Sequence, residues 1–361
     1  MNMNTDKNSV ALIEALSNAF GPSGFEDEVL TVLRASLDGL GEIREDKVRN
    51  LYLYRRENTG NKPVLMLDAH TDEVGMMVQA IRPNGTLRFL PLGGWNKLSL
   101  PGSALLVRTK DGGTVRGIVA AKPVHFMTAA EKKSSDFEIT DLSIDIGASS
   151  AEETRALGVR EGEPCAPDVK FSLDGERGLM FGKAFDCRIG CAALVKTLKL
   201  LAGKALPVDI VAVFSSQEEV GERGAKVAAD TVRPDAAICF EGCPADDTFT
   251  EPWLSQTKLH SGAMLRHMDT SVIASPRFMR FAREMAENAG IPVQFAVRQG
   301  GGNNGAVINL ANRGVPVIVA GVPVRYIHSP NCIASYDDFE NTALLAATLA
   351  EKLTEEVLAS F

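Results

Sequence analysis

Two adjacent glutamates, Glu218 and Glu219, follow an apolar run at 211–214 after Ser215-Ser216-Gln217. Its β-branched and aromatic residues make that run a buried central strand. Open α/β sheets carry their sites at the carboxyl ends of strands, so the pair is delivered where chemistry is done. Neighbouring side chains on an extended chain point opposite ways. The two carboxylates therefore take different jobs, one holding a cation and one handling a proton. Four further stretches end in a residue able to bind metal: His70 with Asp72, Asp186, Glu241 and His328. Imidazole with carboxylate suits zinc, cobalt or manganese. One cation falls to His70, Asp186 and Glu241, and a second to Asp186, Glu219 and His328, with Asp186 shared. Three ligand carboxylates against two divalent cations leave about one positive charge, which a bridging hydroxide would neutralise, and that hydroxide is a nucleophile. Glu218 is then the general base and acid. Asp72 accepts the other ring N–H of His70.

Taken singly, each residue has a plainer reading. The Glu218–Glu219 pair could be a solvated turn and either histidine a packed side chain. Asp186 beside Arg188 could be an ion pair, and Glu241 before Gly242 a turn residue. Cys187 and Cys191, like Cys239 and Cys243, are spaced four apart; they read as small buried thiols behind the site.

The elements that must position these residues alternate. Apolar spacing predicts a helix over 8–20, stopped by the GPSG at 21–24, and a second helix with Ser23 and Glu26 as a capping box. Strands follow near 51–54 and 64–67, the latter running into His70. From 74 to about 171 short β-like runs alternate with turn signals such as RPNGT, LGGW, LPGS and KDGG. That texture is a small all-β unit. Helices over 189–201, 225–231 and 278–289, strands over 208–214, 236–240, 293–297 and 315–320, and a terminal helix over 337–358 complete a layered α/β core. The expected division is 1–73 with 172–361 as the catalytic domain and 74–171 as an insertion.

Of the 361 residues 45% are hydrophobic and 23% charged, and the net charge is −8. The acidic balance argues against nucleic acid or an anionic membrane as the main partner. No apolar run is long enough to span a bilayer. A polar N-terminus and six sparse cysteines predict reduced thiols and a cytoplasmic location.

Together the motifs resemble the tetrahedral aminopeptidases, also called glutamyl or deblocking aminopeptidases, some of which were named cellulase M. The matching pieces are SGFE (23–26), DAHTDEVG (68–75), GKAFDCRIG (182–190), SSQEEVGERGA (215–225) and VRYIHSP (324–330), with IDIGASSAEE (144–153) and GVREG (158–162) in the insert. The resemblance implies a three-layer α/β metallopeptidase core with a central mixed sheet and an inserted β-barrel-like dimerisation domain. It implies two divalent cations per chain, peptide substrates trimmed at the N-terminus, and dimers assembling into a tetrahedral dodecamer. Carried over by residue, His70, Asp186, Glu219, Glu241 and His328 are metal ligands, Glu218 the catalytic base and Asp72 the carboxylate behind His70. A cis peptide after Asp186 is also implied.

Four positions depart from that pattern. Glu241 stands where aspartate is usual, which moves the carboxylate by roughly 1.5 Å. Cys187 replaces a second aspartate, Asn303–Asn304 a Thr-Asp pair in a loop expected to line the substrate pocket, and Arg49 a glycine. Two other expectations stand beside the aminopeptidase: an endoglucanase-like glycan hydrolase, and a catalytically drifted assembly subunit.

Overall fold

Apolar runs buried on both faces build a parallel sheet. In the computed structural model, which describes residues 5–130, 132 and 136–361, the strands Asp209–Ser215, Val64–His70, Ala236–Pro244 and Val317–Arg325 lie side by side and parallel. Ser215 pairs with His70 and Glu241 with Gly321, so the carboxyl ends of these strands meet along one edge. Antiparallel strands flank them, Gly41–Glu45 and Leu51–Arg55 on one side and Cys332–Ser335, Leu179–Gly182 and Ser172–Asp174 on the other. The result is the expected α/β core with a mixed sheet.

Alternation along each strand sorts its residues between two helical layers. Ile210, Ala212 and Phe214 join the larger core, beneath helices Lys7–Asn18, Asp27–Leu37, Phe185–Leu201, Pro276–Ala289 and Tyr336–Lys352. Val211 and Val213 face the opposite way, under Arg223–Val232 and Gly305–Asn309. A closed antiparallel barrel stands apart from this sheet, formed by strands lying between Gly75 and Pro167. It has its own interior of Met76, Val78, Leu87, Phe89, Leu105 and Val107.

Several local expectations change. The capping box at Ser23 and Glu26 does not form: Asp27–Leu37 begins after Glu26 without a side-chain cap. The Ser23 hydroxyl donates instead to Asp72 at 2.6 Å, and Glu26 accepts from the N–H groups of Gly24 and Gln217 at 2.8 and 3.2 Å. A buried carboxylate acceptor is worth more to a hydroxyl than a frayed helix end that water can reach. The terminal helix ends at Lys352 and restarts as Glu355–Ala359, where the Thr354 side chain accepts from Val357. Two strands are longer than their apolar runs. Ala236–Pro244 and Val317–Arg325 continue through Glu241 and Pro323, so Glu241 lies within a strand rather than on a turn. Arg49 adopts φ 76°, a conformation that costs a side chain and spares glycine, and it pairs with Asp27 and Glu45.

Charge holds the chain in place just before it enters the barrel. Lys183 Nζ donates to both oxygens of Glu73, at 2.5 and 2.7 Å, and to the Ala19 carbonyl at 2.9 Å, and all are buried. Removing one partner of such a pair strands the other in low dielectric. Lys183→Met is therefore expected to lower the unfolding free energy by about 3 kcal/mol, read from urea denaturation. An unchanged midpoint would show that Arg188, 3.4 Å from Glu73, suffices alone.

Candidate metal centre and active site

The parallel edge gathers the residues singled out from sequence. His70 ends its strand, and its Nε2 lies 3.1 Å from Asp186 Oδ1 and 3.8 Å from Glu241 Oε2. The other oxygen of Asp186 faces away, 3.3 Å from His328 Nε2, which is 3.5 Å from Glu219 Oε1. Asp186 thus stands between two ligand sets, one oxygen toward each. Both sets anticipated from sequence are brought together, with their ligand atoms within 4.8 Å of one another.

Asp186 reaches this position at the start of the helix Phe185–Leu201, where it and Cys187 depart from helical angles and the bond between them is cis. Gly242 permits the approach. A Cβ there would stand 2.5 Å from the Phe185 carbonyl oxygen and 2.8 Å from Asp186 Cα.

Glu218 and Glu219 sit beyond the strand end, in a turn entered through Gln217 at φ 56°. Their orientation is set by Asp72 rather than by strand alternation. Asp72 Oδ1 accepts the Glu218 N–H at 2.9 Å and Oδ2 the Glu219 N–H at 3.1 Å. The same carboxylate lies 3.3 Å from His70 Nδ1, which is also 3.1 Å from the Asp72 carbonyl oxygen. His70 Nδ1 is thus hydrogen-bonded to the Asp72 backbone carbonyl with the expected carboxylate close beside it, and that carboxylate also holds the glutamate turn. Glu218 Oε2 projects into the cavity 3.9 Å from His70 Nε2.

The electrostatics call for cations. Burial pushes the Glu219 and Glu241 carboxyls well above their usual range, with Asp186 adding repulsion and the histidines opposing it. Glu218 rises to about 7, mainly through burial. Asp186 goes the other way: burial is outweighed by its bonds to His328 and His70, which hold it below the ordinary range. Carboxylates and imidazoles crowded in one cavity, with oxygen and nitrogen atoms converging, fit divalent metal binding by donor chemistry.

The cavity over these residues encloses about 260 Å³, with Arg266, Arg298, Glu222 and the backbone of Gly300–Gly302 in its walls. The barrel supplies part of the wall too. A Cβ at Gly93 would come within 3.0 Å of Glu219 Oε2 and one at Gly94 within 3.5 Å of His328 Nδ1, while the Asn96 N–H donates to the His328 carbonyl at 3.1 Å.

Three residues contradict or extend the expectations. Asn303 and Asn304 do not line the cavity. Asn304 turns inward to Asp68 and Ser215, at 2.7 and 2.8 Å, and Asn303 bonds Asp269 at 2.8 Å. Buried carboxylates outcompete solvent for their amide donors. Arg266, buried and paired with Asp269 at 2.9 Å, went unnoticed because an arginine inside an apolar strand carries no motif.

The M42 glutamyl aminopeptidase profile matches residues 50–345. The chain belongs to the M42 peptidase family. Among M42-like relatives, the glutamyl aminopeptidase of Lactococcus lactis subsp. cremoris (strain MG1363) is 33% identical over 347 residues, covering 96% of this chain and 97% of that one. The solved TET aminopeptidase from the marine sediment archaeon Thaumarchaeota archaeon SCGC AB-539-E09 superposes with a TM-score of 0.93 at 35% identity, covering 98% of this chain and 99% of that one. The Pyrococcus horikoshii TET1 peptidase, described as assembling into a tetrahedron or a large octahedral shell, gives 0.85 at 27% identity over 96% and 100% of the two chains. Membership makes this chain a hydrolase of the metallo-aminopeptidase class.

Behind the M42 site, burial and then the charge of Asp72 push the Glu26 carboxyl from 4.5 to about 7. Because the folded value is the higher, the unfolded chain gives up its proton first. Stability is thus lost as pH rises from about 4.5 to about 7, by up to ~3 kcal/mol. Glu26→Gln keeps the acceptor for Gly24 and Gln217 and removes the titration. Its advantage over wild type in unfolding free energy is expected to grow across that window and level off above it. A difference independent of pH would place the strain elsewhere.

Proposed function

We propose that this chain is a two-cation aminopeptidase that removes residues from the N-terminus of peptides. The observation that carries this reading is the division of Asp186 between His70 and His328. His70, Asp186 and Glu241 would hold one ion, and Asp186, Glu219 and His328 the other. Bound there, divalent cations polarise a carbonyl and make water acidic enough to attack at neutral pH.

The chain's own groups do the rest. Glu218, whose carboxylate lines the cavity, takes a proton from the attacking water and returns it to the leaving amine. Asp72 holds His70 in one orientation and the Glu218–Glu219 turn in place. The cavity is on the scale of a single residue, which suits trimming from an end. The carboxylate of Glu222 suits a free ammonium group there.

Purified chain loaded with zinc, cobalt or manganese and offered a panel of aminoacyl p-nitroanilides (acidic, aliphatic and basic) is expected to hydrolyse at least one. A chelator should abolish that hydrolysis. No chelator-sensitive cleavage of any member, or cleavage only of a cellulose control, would overturn the reading.

We also read residues 74–171 as the part that holds neighbouring subunits. Ile118, Val124 and Phe126 are exposed there, Phe126 by 74%. The catalytic unit is then 1–73 with 172–361, and the assembly a dimer-based dodecamer, as light scattering would test. No helix among the described residues is long and apolar enough to cross a membrane. The six free cysteines support a reducing, cytoplasmic setting.

A further inference from the structure

One side chain in the metal centre has no part in the mechanism above. Cys187 is wholly buried, and its Sγ lies with the ligand atoms of His70, Asp186 and Glu241 in a group whose members are all within 4.8 Å of one another. We propose that Cys187 binds, as a thiolate, the cation held by His70, Asp186 and Glu241. This rests on the two-cation reading above.

Three observations support it. The nitrogen-to-oxygen distances from His70 Nε2, 3.1 Å to Asp186 and 3.8 Å to Glu241, already bracket the roughly 3.3–3.8 Å between ligands of a tetrahedral zinc. The sulfur stands within 4.8 Å of each of these ligand atoms. Among the described residues the thiol's hydrogen bond goes to the Phe240 carbonyl, at 3.2 Å, on the strand that carries Glu241. A thiol is a weak donor, so little is lost when the bond is exchanged for a metal contact. Cys191 provides the contrast. It is equally buried, but its Sγ donates to the His70 carbonyl at 3.0 Å and falls outside the ligand group.

The exchange balances simply: the S–H bond breaks, its proton passes to solvent, and a sulfur–metal bond forms. Two consequences follow. A set of one nitrogen, two oxygens and one sulfur favours zinc or cadmium over manganese or magnesium at this position. Four protein ligands also close this position in the manner of structural zinc sites. The open coordination is left at the Asp186, Glu219 and His328 position, which has three protein ligands.

X-ray absorption on the zinc-loaded full chain tests this directly. The wild type is expected to show one sulfur at about 2.3 Å per two zinc ions. Cys187→Ser should lose that sulfur signal, and Cys191→Ser should keep it. Two bound zinc ions with only nitrogen and oxygen neighbours would overturn the thiolate while leaving the two-cation reading intact. Failure to bind zinc would overturn both. Should Cys187→Ser fail to fold, the wild-type spectrum read beside Cys191→Ser still decides, because a sulfur lost with Cys191 assigns the ligand to the wrong cysteine and sinks the proposal.

Discussion

Glu218→Gln is expected to lower kcat by about 10²- to 10⁴-fold, the usual worth of a positioned general base, with the metal content unchanged. The substitution is nearly isosteric and removes only the ability to take a proton. Glu218 Oε2 stands 3.9 Å from His70 Nε2, beside 3.8 Å for Glu241, so the metal content is the readout that separates a base from a ligand. Its backbone N–H, not its carboxylate, is what Asp72 holds, so the turn should survive. Steady-state kinetics beside elemental analysis of the same preparation check both halves. A variant that keeps most of its kcat moves the base elsewhere; one that loses metal makes Glu218 a ligand instead.

The second large effect concerns Asp186. Because each of its oxygens faces a different histidine, Asp186→Asn removes the charge shared by both ligand sets and is expected to empty both. Binding of a cation only to the folded chain stabilises it by about 2.7 kcal/mol per site at a hundredfold excess over Kd. The cation-dependent rise in Tm should vanish in Asp186→Asn and fall by about half in His328→Ala, which damages one set. Equal losses in the two variants would mean that the sites fill as one unit. No loss in Asp186→Asn would contradict the bridge.

Legibility in the sequence was uneven, for physical reasons. Ligand types and their order along the chain were readable because strand ends in an α/β sheet converge on one edge, and His70, Ser215 and Glu241 arrive there in register. The barrel was readable because turn residues recur at short intervals. Partners chosen in three dimensions were not. Ser23 and Glu26 have the spacing of a helix cap, yet both are claimed by the site, Ser23 through Asp72 and Glu26 through Gln217. Asn303 and Asn304 sit in a glycine-rich loop that touches the cavity, but buried carboxylates turn their side chains inward. Cys187 and Cys191 are both buried, as expected of thiols behind the site, and their four-residue spacing says nothing about which sulfur lies with the ligand atoms of His70.

The turn at Gly93–Gly94 gives the barrel two unequal surfaces. At the turn a single methyl group at Gly93 would press on Glu219, and its φ of 81° already disfavours a side chain. A change at this turn therefore reaches the catalytic centre directly, through Glu219 and His328, and it starts from a pair of residues with no side chains to lose.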